Sequence, residues 1–268
     1  MQIGNRNYLA LAIKDFKDGI SSIYVWPMLG WLEIKQRYRR SVLGPFWLTI
    51  STGALVAGMG PLYGRLLNLD ISTYFSYLAI SIVVWLFIAG IMNDACTAFI
   101  SAEGFIKQIK LPLTVHVLKM VWKNLIIFAH NLVIVVLVLL FWPPVVIDWH
   151  LLLMPLGVLF VAINGIWIGI SLGLLCARFR DIPQIVTSLT QVAMFLTPVF
   201  WKAEMLGNNL WAAEWNPFYH FLEVVRSPLV AAPAYGFSWT VVLGITVIGY
   251  AATFVLFARF RARIAYWV

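Results

Sequence analysis

The sequence is poor in charge and in catalytic signatures. Only 11% of its 268 residues are charged, against 62% hydrophobic, and the mean hydropathy is +0.88. A soluble domain carries roughly a quarter charged residues. A protein core alone cannot absorb this apolar excess, so lipid must solvate much of the surface. There are two cysteines, Cys96 and Cys176, both inside apolar segments, which excludes a disulfide framework. The four histidines, His116, His130, His150 and His220, are scattered without ligand spacing, which argues against a metal centre. No G-x-x-x-x-G-K-[ST], H-E-x-x-H or G-x-S-x-G occurs, so the chain brings no phosphate-cradling loop, zinc-protease helix or nucleophile elbow of its own. Residues 1–20 are mixed polar, with Lys14, Asp15, Lys17 and Asp18, and do not read as a cleavable signal peptide. Carboxylates inside apolar stretches are almost missing too. Asp94, beside Asn93, is the candidate, and one such group is a thin basis for an ion pathway.

What is present is segmentation. A bilayer core of roughly 30 Å needs roughly 20 apolar residues in a helix, and six stretches qualify: 45–66, 74–100, 120–141, 151–176, 184–201 and 238–258. The fifth carries Thr187, Ser188, Thr190 and Gln191, a face expected to pack on protein rather than lipid. Basic residues then fix orientation. Seven Lys/Arg fall in 1–44, four in 101–124, two in 177–183 and three in 259–268, while the opposite side holds only Arg65, Lys202 and Arg226. This asymmetry places both termini in the cytoplasm and agrees with an even number of spans. It also accounts for the net charge of +8 without a nucleic-acid partner. The expected fold is an all-α integral membrane domain over 1–268, with six transmembrane helices.

Three connectors carry more than their topology requires. Residues 28–43 alternate Trp31, Ile34 and Tyr38 with Lys35, Arg37, Arg39 and Arg40, between Pro27 and Gly44-Pro45. That pattern predicts an amphipathic helix in the inner interface, bound to anionic membrane lipids by its basic side. Residues 101–117, between spans two and three, form a polar segment able to hold a short cytoplasmic helix, or a plain loop. Residues 202–237 are too apolar for a soluble loop and too broken by Pro217, Pro228, Pro233 and Gly236 for a span. They predict two short re-entrant or interfacial helices on the outer side. Thirteen Trp and ten Tyr supply interfacial belts. Among the aromatics, Trp47, Tyr63, Tyr74, Tyr77, Trp85, Phe195, Phe200 and Trp201 are candidates to line a path for a sugar chain, with belt and core packing as the alternative role.

Several of these stretches resemble the membrane subunits of ABC-2 exporters for bacterial surface polysaccharides, the O-antigen and wall teichoic acid exporter permeases. Arg37-Tyr38-Arg39-Arg40-Ser41-Val42-Leu43-Gly44-Pro45-Phe46-Trp47 is similar to the family's basic run followed by S-x-LG-x-x-W. Phe105-Ile106-Lys107 through Leu111-Pro112 resembles its cytoplasmic coupling segment. Ala177-Arg178-Phe179-Arg180-Asp181-Ile182 looks like its R-x-RD turn, and Leu196-Thr197-Pro198-Val199 with Asn216-Pro217-Phe218 and Arg226 looks like its outer gate region. The order and spacing of the matches extend over essentially the whole chain. Ser51 and Thr52 stand where family members often carry a proline.

The resemblance implies a transport subunit rather than an enzyme. It implies a bacterial inner-membrane homodimer, with two copies of a separate ATPase that binds the ATP and Mg. Its substrate is implied to be a polysaccharide on an undecaprenyl-pyrophosphate carrier, most simply O-antigen. In that frame Glu103, Gly104, Phe105, Ile106, Lys107 and Lys110 would receive the ATPase motion. Arg37, Arg39 and Arg40, with Leu43 and Gly44, would hold the diphosphate head group. Pro198, Trp215, Asn216, Pro217, Phe218 and Arg226 would form the outer gate, and Arg178, Arg180 and Asp181 would fix an inner turn by pairing. Two other classes compete: an ion-coupled flippase working without an ATPase, and a membrane-embedded glycan transferase, for which Glu33 is the acid near the basic cluster.

Overall fold

The computed structural model describes residues 5–44, 46–142, 149–230 and 235–268. Every regular element among them is helical. The helices are α1 (Asn5–Ser21), α2 (Val25–Arg37), α3 (Phe46–Leu66), α4 (Ile71–Thr97), α5 (Glu103–Gln108), α6 (Leu113–Phe141), α7 (Leu153–Arg178), α8 (Ile182–Leu196), α9 (Trp211–Glu214), α10 (Pro217–Val230), α11 (Tyr235–Phe260) and α12 (Ile264–Trp267).

The centre of the bundle is α4. Its residues are apolar on every face, and from Tyr74 to Trp85 all of them are buried. A helix hydrophobic all round needs neighbours all round, and α3, α6, α7, α8 and α10 surround it. Its start is set by Asp70, whose carboxylate accepts from Thr73 N at 3.1 Å and from the Ser72 hydroxyl. The outer layer is apolar but exposed: Val133, Val136, Leu137 and Leu140 on α6, and Val247, Ile248 and Val255 on α11. Such faces are stable only against lipid. Between helices the contacts are small residues and polar side chains, as expected where hydrocarbon surrounds them. A Cβ on Gly157 would meet the Val224 carbonyl oxygen at 2.3 Å, so α7 and α10 touch at the backbone. Asn164 Nδ2 donates to Thr246 Oγ1 at 2.8 Å, and the Tyr250 hydroxyl donates to Ile163 O at 2.8 Å, tying α7 to α11.

Among the described residues, four helical stretches are long and apolar enough to cross a bilayer: Ile71–Thr97, Leu113–Phe141, His150–Arg178 and Gly236–Trp267. They take in the expected second, third, fourth and sixth spans. The other two are weaker for visible reasons. Helix α3 has 21 residues but is diluted by Thr49, Ser51, Thr52 and four glycines, with Pro61 inside it. Helix α8 has only 15 residues, about 22 Å of helix. The third span begins earlier than hydropathy suggests, at Leu113, because partners from other helices satisfy the polar residues of its first turns. The interfacial helix is also shifted. It runs 25–37 instead of 28–43, so Arg39 and Arg40 lie in the turn after it. A helix not anticipated by composition, α1, packs against α6 and α11.

Asp15 explains that seat. It is fully buried on α1, accepts from Thr114 N at 3.0 Å, Leu113 N at 3.1 Å and the Thr114 hydroxyl at 2.8 Å, and pairs with Arg261 at 2.8 Å. It thereby caps the start of α6 from another helix. Gly19 allows the approach, since a Cβ there would lie 2.8 Å from Thr114.

Candidate functional site

At one end of the bundle the chain leaves α8 in extended backbone, and its carbonyls are collected by three side chains. The Tyr74 hydroxyl donates to Phe200 O at 2.6 Å. The Tyr77 hydroxyl lies 3.0 Å from Pro198 O and 2.8 Å from Trp201 O. Arg226 Nη1 donates to Pro198 O at 2.7 Å and to Ser81 Oγ at 2.8 Å. Its Nη2 pairs with Glu223, one turn earlier on α10. Irregular backbone in a membrane domain requires this kind of satisfaction, and a buried guanidinium requires a paired anion. Asn216 completes the frame: its Nδ2 donates to Thr197 Oγ1 at 2.9 Å, and its Oδ1 caps Phe218 N at 3.0 Å. Pro217 occupies the first position of α10, where its missing N–H costs nothing.

The expected gate residues Pro198, Asn216, Pro217, Phe218 and Arg226 are therefore brought together. Trp215 belongs to the same segment but points outward, 83% exposed. Beside it is an open groove of about 620 Å³ lined by Phe195, Trp201, Trp215, Asn216 and Phe218. The segment 202–237 forms a 3₁₀ turn at Ala203–Asn209, then α9 and α10. Residues 231–234 of it, with Pro233, lie outside the described residues, as does Pro45.

The candidate path aromatics divide. Tyr63 stacks on Phe200 with ring centroids 5.8 Å apart, and Phe195 adjoins Phe200 at 6.0 Å, with Phe195 exposed. Tyr74, Tyr77 and Trp85 are buried within this chain, Trp85 against Phe218. Trp47 stands apart and exposed on the first turn of α3.

The expected inner sites are laid out differently. The turn after α2 presents Arg37, Arg39, Arg40 and Leu43 exposed, and among the described residues none of the three guanidiniums forms an ion pair. Gly44 closes the turn at φ 56, where a side chain would be strained, and its N–H donates to Ser41 Oγ at 3.2 Å. The segment expected to couple to an ATPase is the 3₁₀ turn Ile100–Ala102 followed by α5. Glu103 and Lys107 pair at 2.6 Å on its surface, and that hydrogen bond lowers the Glu103 pKa. Phe105 and Ile109 are exposed, Ile106 packs inward, and Gly104 has open space around it. Lys110 lines a groove of about 450 Å³ between α1, α5 and the segment that follows α11. Arg178 sits over the rings of Phe179 and Trp267, at 5.1 and 5.5 Å. Among the described residues, Arg178, Arg180 and Asp181 do not pair with one another.

Sequence reasoning missed Glu223, Ser81, Lys119 and Lys123. Glu223 and Arg226 are spaced i, i+3 inside an apolar segment, a signal that was available. Lys119 meets Glu33 across 86 positions, and Lys123 meets Glu33 across 90 and Asp94 across 29, which no local pattern reveals.

Comparison with known proteins agrees with this architecture. Residues 25–230 match the ABC-2 type transporter family. The O-antigen export system permease protein RfbA of Myxococcus xanthus is 24% identical over 180 residues, 66% of this chain and 68% of that protein. The family match spans α2 to α10, from Val25 to beyond the buried Arg226, and on that extent the chain belongs to the ABC-2 type transporter membrane family.

Proposed function

We propose that the chain is the permease of an ATP-driven exporter that moves a lipid-linked polysaccharide, of O-antigen type on an undecaprenyl-pyrophosphate carrier, across a bacterial inner membrane. Two copies form the pathway, and two ATPase subunits drive it. The observation that carries this reading is α5: a six-residue helix between two membrane-crossing helices, with Phe105 and Ile109 bare to the outside and a surface Glu103–Lys107 pair. Exposed apolar side chains on so short a helix suit a docking partner. The unpaired Arg37, Arg39 and Arg40 suit a diphosphate, because guanidinium pairs bidentately with phosphate oxygens. The groove at Trp215 and Phe195 suits sugar rings. Six spans, with α3 and α8 crossing beside a second copy, would place both termini in the cytoplasm.

An ion-coupled mechanism is less well supported, because the carboxylate of Asp94 is already held by Lys123 at 2.9 Å and Asn124 at 2.8 Å. The test is purification from native membranes in mild detergent, followed by an ATPase assay. A stoichiometric ATPase partner whose activity changes on substitution of Glu103 or Lys107 supports the exporter. A chain that purifies alone and transports without ATP overturns it. Replacement of Arg39 and Arg40 by Glu tests the head-group role, which fails if export survives.

A further inference from the structure

Away from the candidate gate, four charged side chains converge where α2, α4 and α6 meet. Lys123 Nζ, with its side chain 6% exposed, lies 2.7 Å from Glu33 Oε1 and 2.9 Å from Asp94 Oδ2. Lys119 Nζ lies 2.8 Å from Glu33 Oε2. Two ammonium groups and two carboxylates thus balance. The network spans three helices, and Glu33 is its single member on α2. The other contacts of α2 with α6 are apolar or close-packed, such as Trp26 against Trp122 at 5.7 Å and Gly30 against the Lys119 carbonyl. Contacts of that kind resist separation but allow sliding. A carboxylate held by one ammonium on each oxygen fixes both the position and the rotation of its helix.

The placement of the network gives it a consequence. Asp94 is in the last turns of α4, which leads into α5, and Lys119 is in the second turn of α6, which follows it. Both helices flanking the short α5 segment therefore carry a member. On α2, Glu33 is one turn before Arg37, where the helix ends and the basic turn begins. We propose that Glu33 is a positioning residue: it makes α2 move as one body with the inner ends of α4 and α6, so that a displacement received at α5 carries the basic turn 37–44 with it. This rests on the exporter reading above.

The test uses the assembled exporter in vesicles, with ATP hydrolysis and glycan translocation measured in parallel. Glu33→Gln is expected to lower the glycan moved per ATP about tenfold, within the usual range of a coupling effect, while hydrolysis continues. The conservative variant Glu33→Asp, which keeps a carboxylate between Lys119 and Lys123, is expected to retain most of the ratio. A purely structural role would lower hydrolysis and translocation together. An unchanged ratio in Glu33→Gln overturns the proposal. A second measurement needs no ATPase. Spin labels at the exposed positions Lys35 on α2 and Val133 on α6 are expected to show a broadened distance distribution in Glu33→Gln, and an unchanged one overturns the proposal. If the unsubstituted complex shows no ATP-dependent translocation, the exporter reading fails, and the label distances still decide whether Glu33 holds α2.

Discussion

The guanidinium of Arg226 lies 4.3 Å from the centre of the Tyr77 ring, and both side chains reach the same acceptor, the carbonyl of Pro198. A residue of α10 and a residue of α4 thus hold one point of the extended backbone after α8. Glu223 balances the charge of the guanidinium.

Removal of one member should therefore cost more than removal of two. Arg226→Ala strands Glu223 in the interior and is expected to destabilise by about 3–5 kcal/mol, whereas Arg226→Met combined with Glu223→Leu should recover most of that loss. Thermal unfolding in detergent distinguishes the two. Equal losses would mean that the ion pair is not the source of the effect.

Asp15→Ala should destabilise by about 2 kcal/mol. It removes the acceptor for two backbone N–H groups at the start of α6 and leaves Arg261 without its partner. Limited proteolysis is the direct check, with cleavage expected to appear first in α1.

The close approach of α7 and α10 predicts a contrast between two glycines. Gly157→Ala places a methyl against the Val224 carbonyl, which belongs to backbone and cannot rotate away, and should cost about 1–3 kcal/mol. Gly58→Ala on α3 has open space and should be neutral or stabilising by up to about 1 kcal/mol. Detergent melting curves of the two variants test the pair side by side.

Glu33 predicts an acid dependence. Burial raises its pKa, but the ammonium groups of Lys119 and Lys123 overcome this and hold it at about 2, below the ordinary 4.5. A depressed carboxyl stabilises the fold fully above its unfolded pKa and loses that contribution as pH falls through the folded value. The contribution should therefore be complete above about pH 4.5 and fade toward about pH 2. Glu33→Gln should flatten stability across that interval, read from unfolding midpoints at stepped pH.

Much of this architecture was legible from the amino acids alone. Runs of apolar residues are a direct statement about solvent, so α4, α6, α7 and α11 fall where the runs do. Helix α1 was not legible because its buried face is made of Ala12, Asp15 and Gly19, which look polar or neutral until α6 is placed against them. The shared acceptor at Pro198 was hidden for a related reason. Tyr77 and Arg226 were each visible as unusual residues, but their meeting depends on α4 and α10 packing together. Asp94 was recognised as an intramembrane carboxylate in need of a partner, and its partner, Lys123, is supplied by a helix whose inner turns had looked like loop. The start of α6 was misjudged for that same cause: Thr114 and Lys119 are polar by composition and satisfied by position.

The bond between Asp15 and Arg261 has a consequence in time. Arg261 follows Asp15 by 246 positions, so it is synthesised well after its partner. Helix α1 can meet α6 midway through synthesis, yet its carboxylate waits for Arg261 before it is fully matched. A product released short of Arg261 would keep a carboxylate without its cation at the seat of α1.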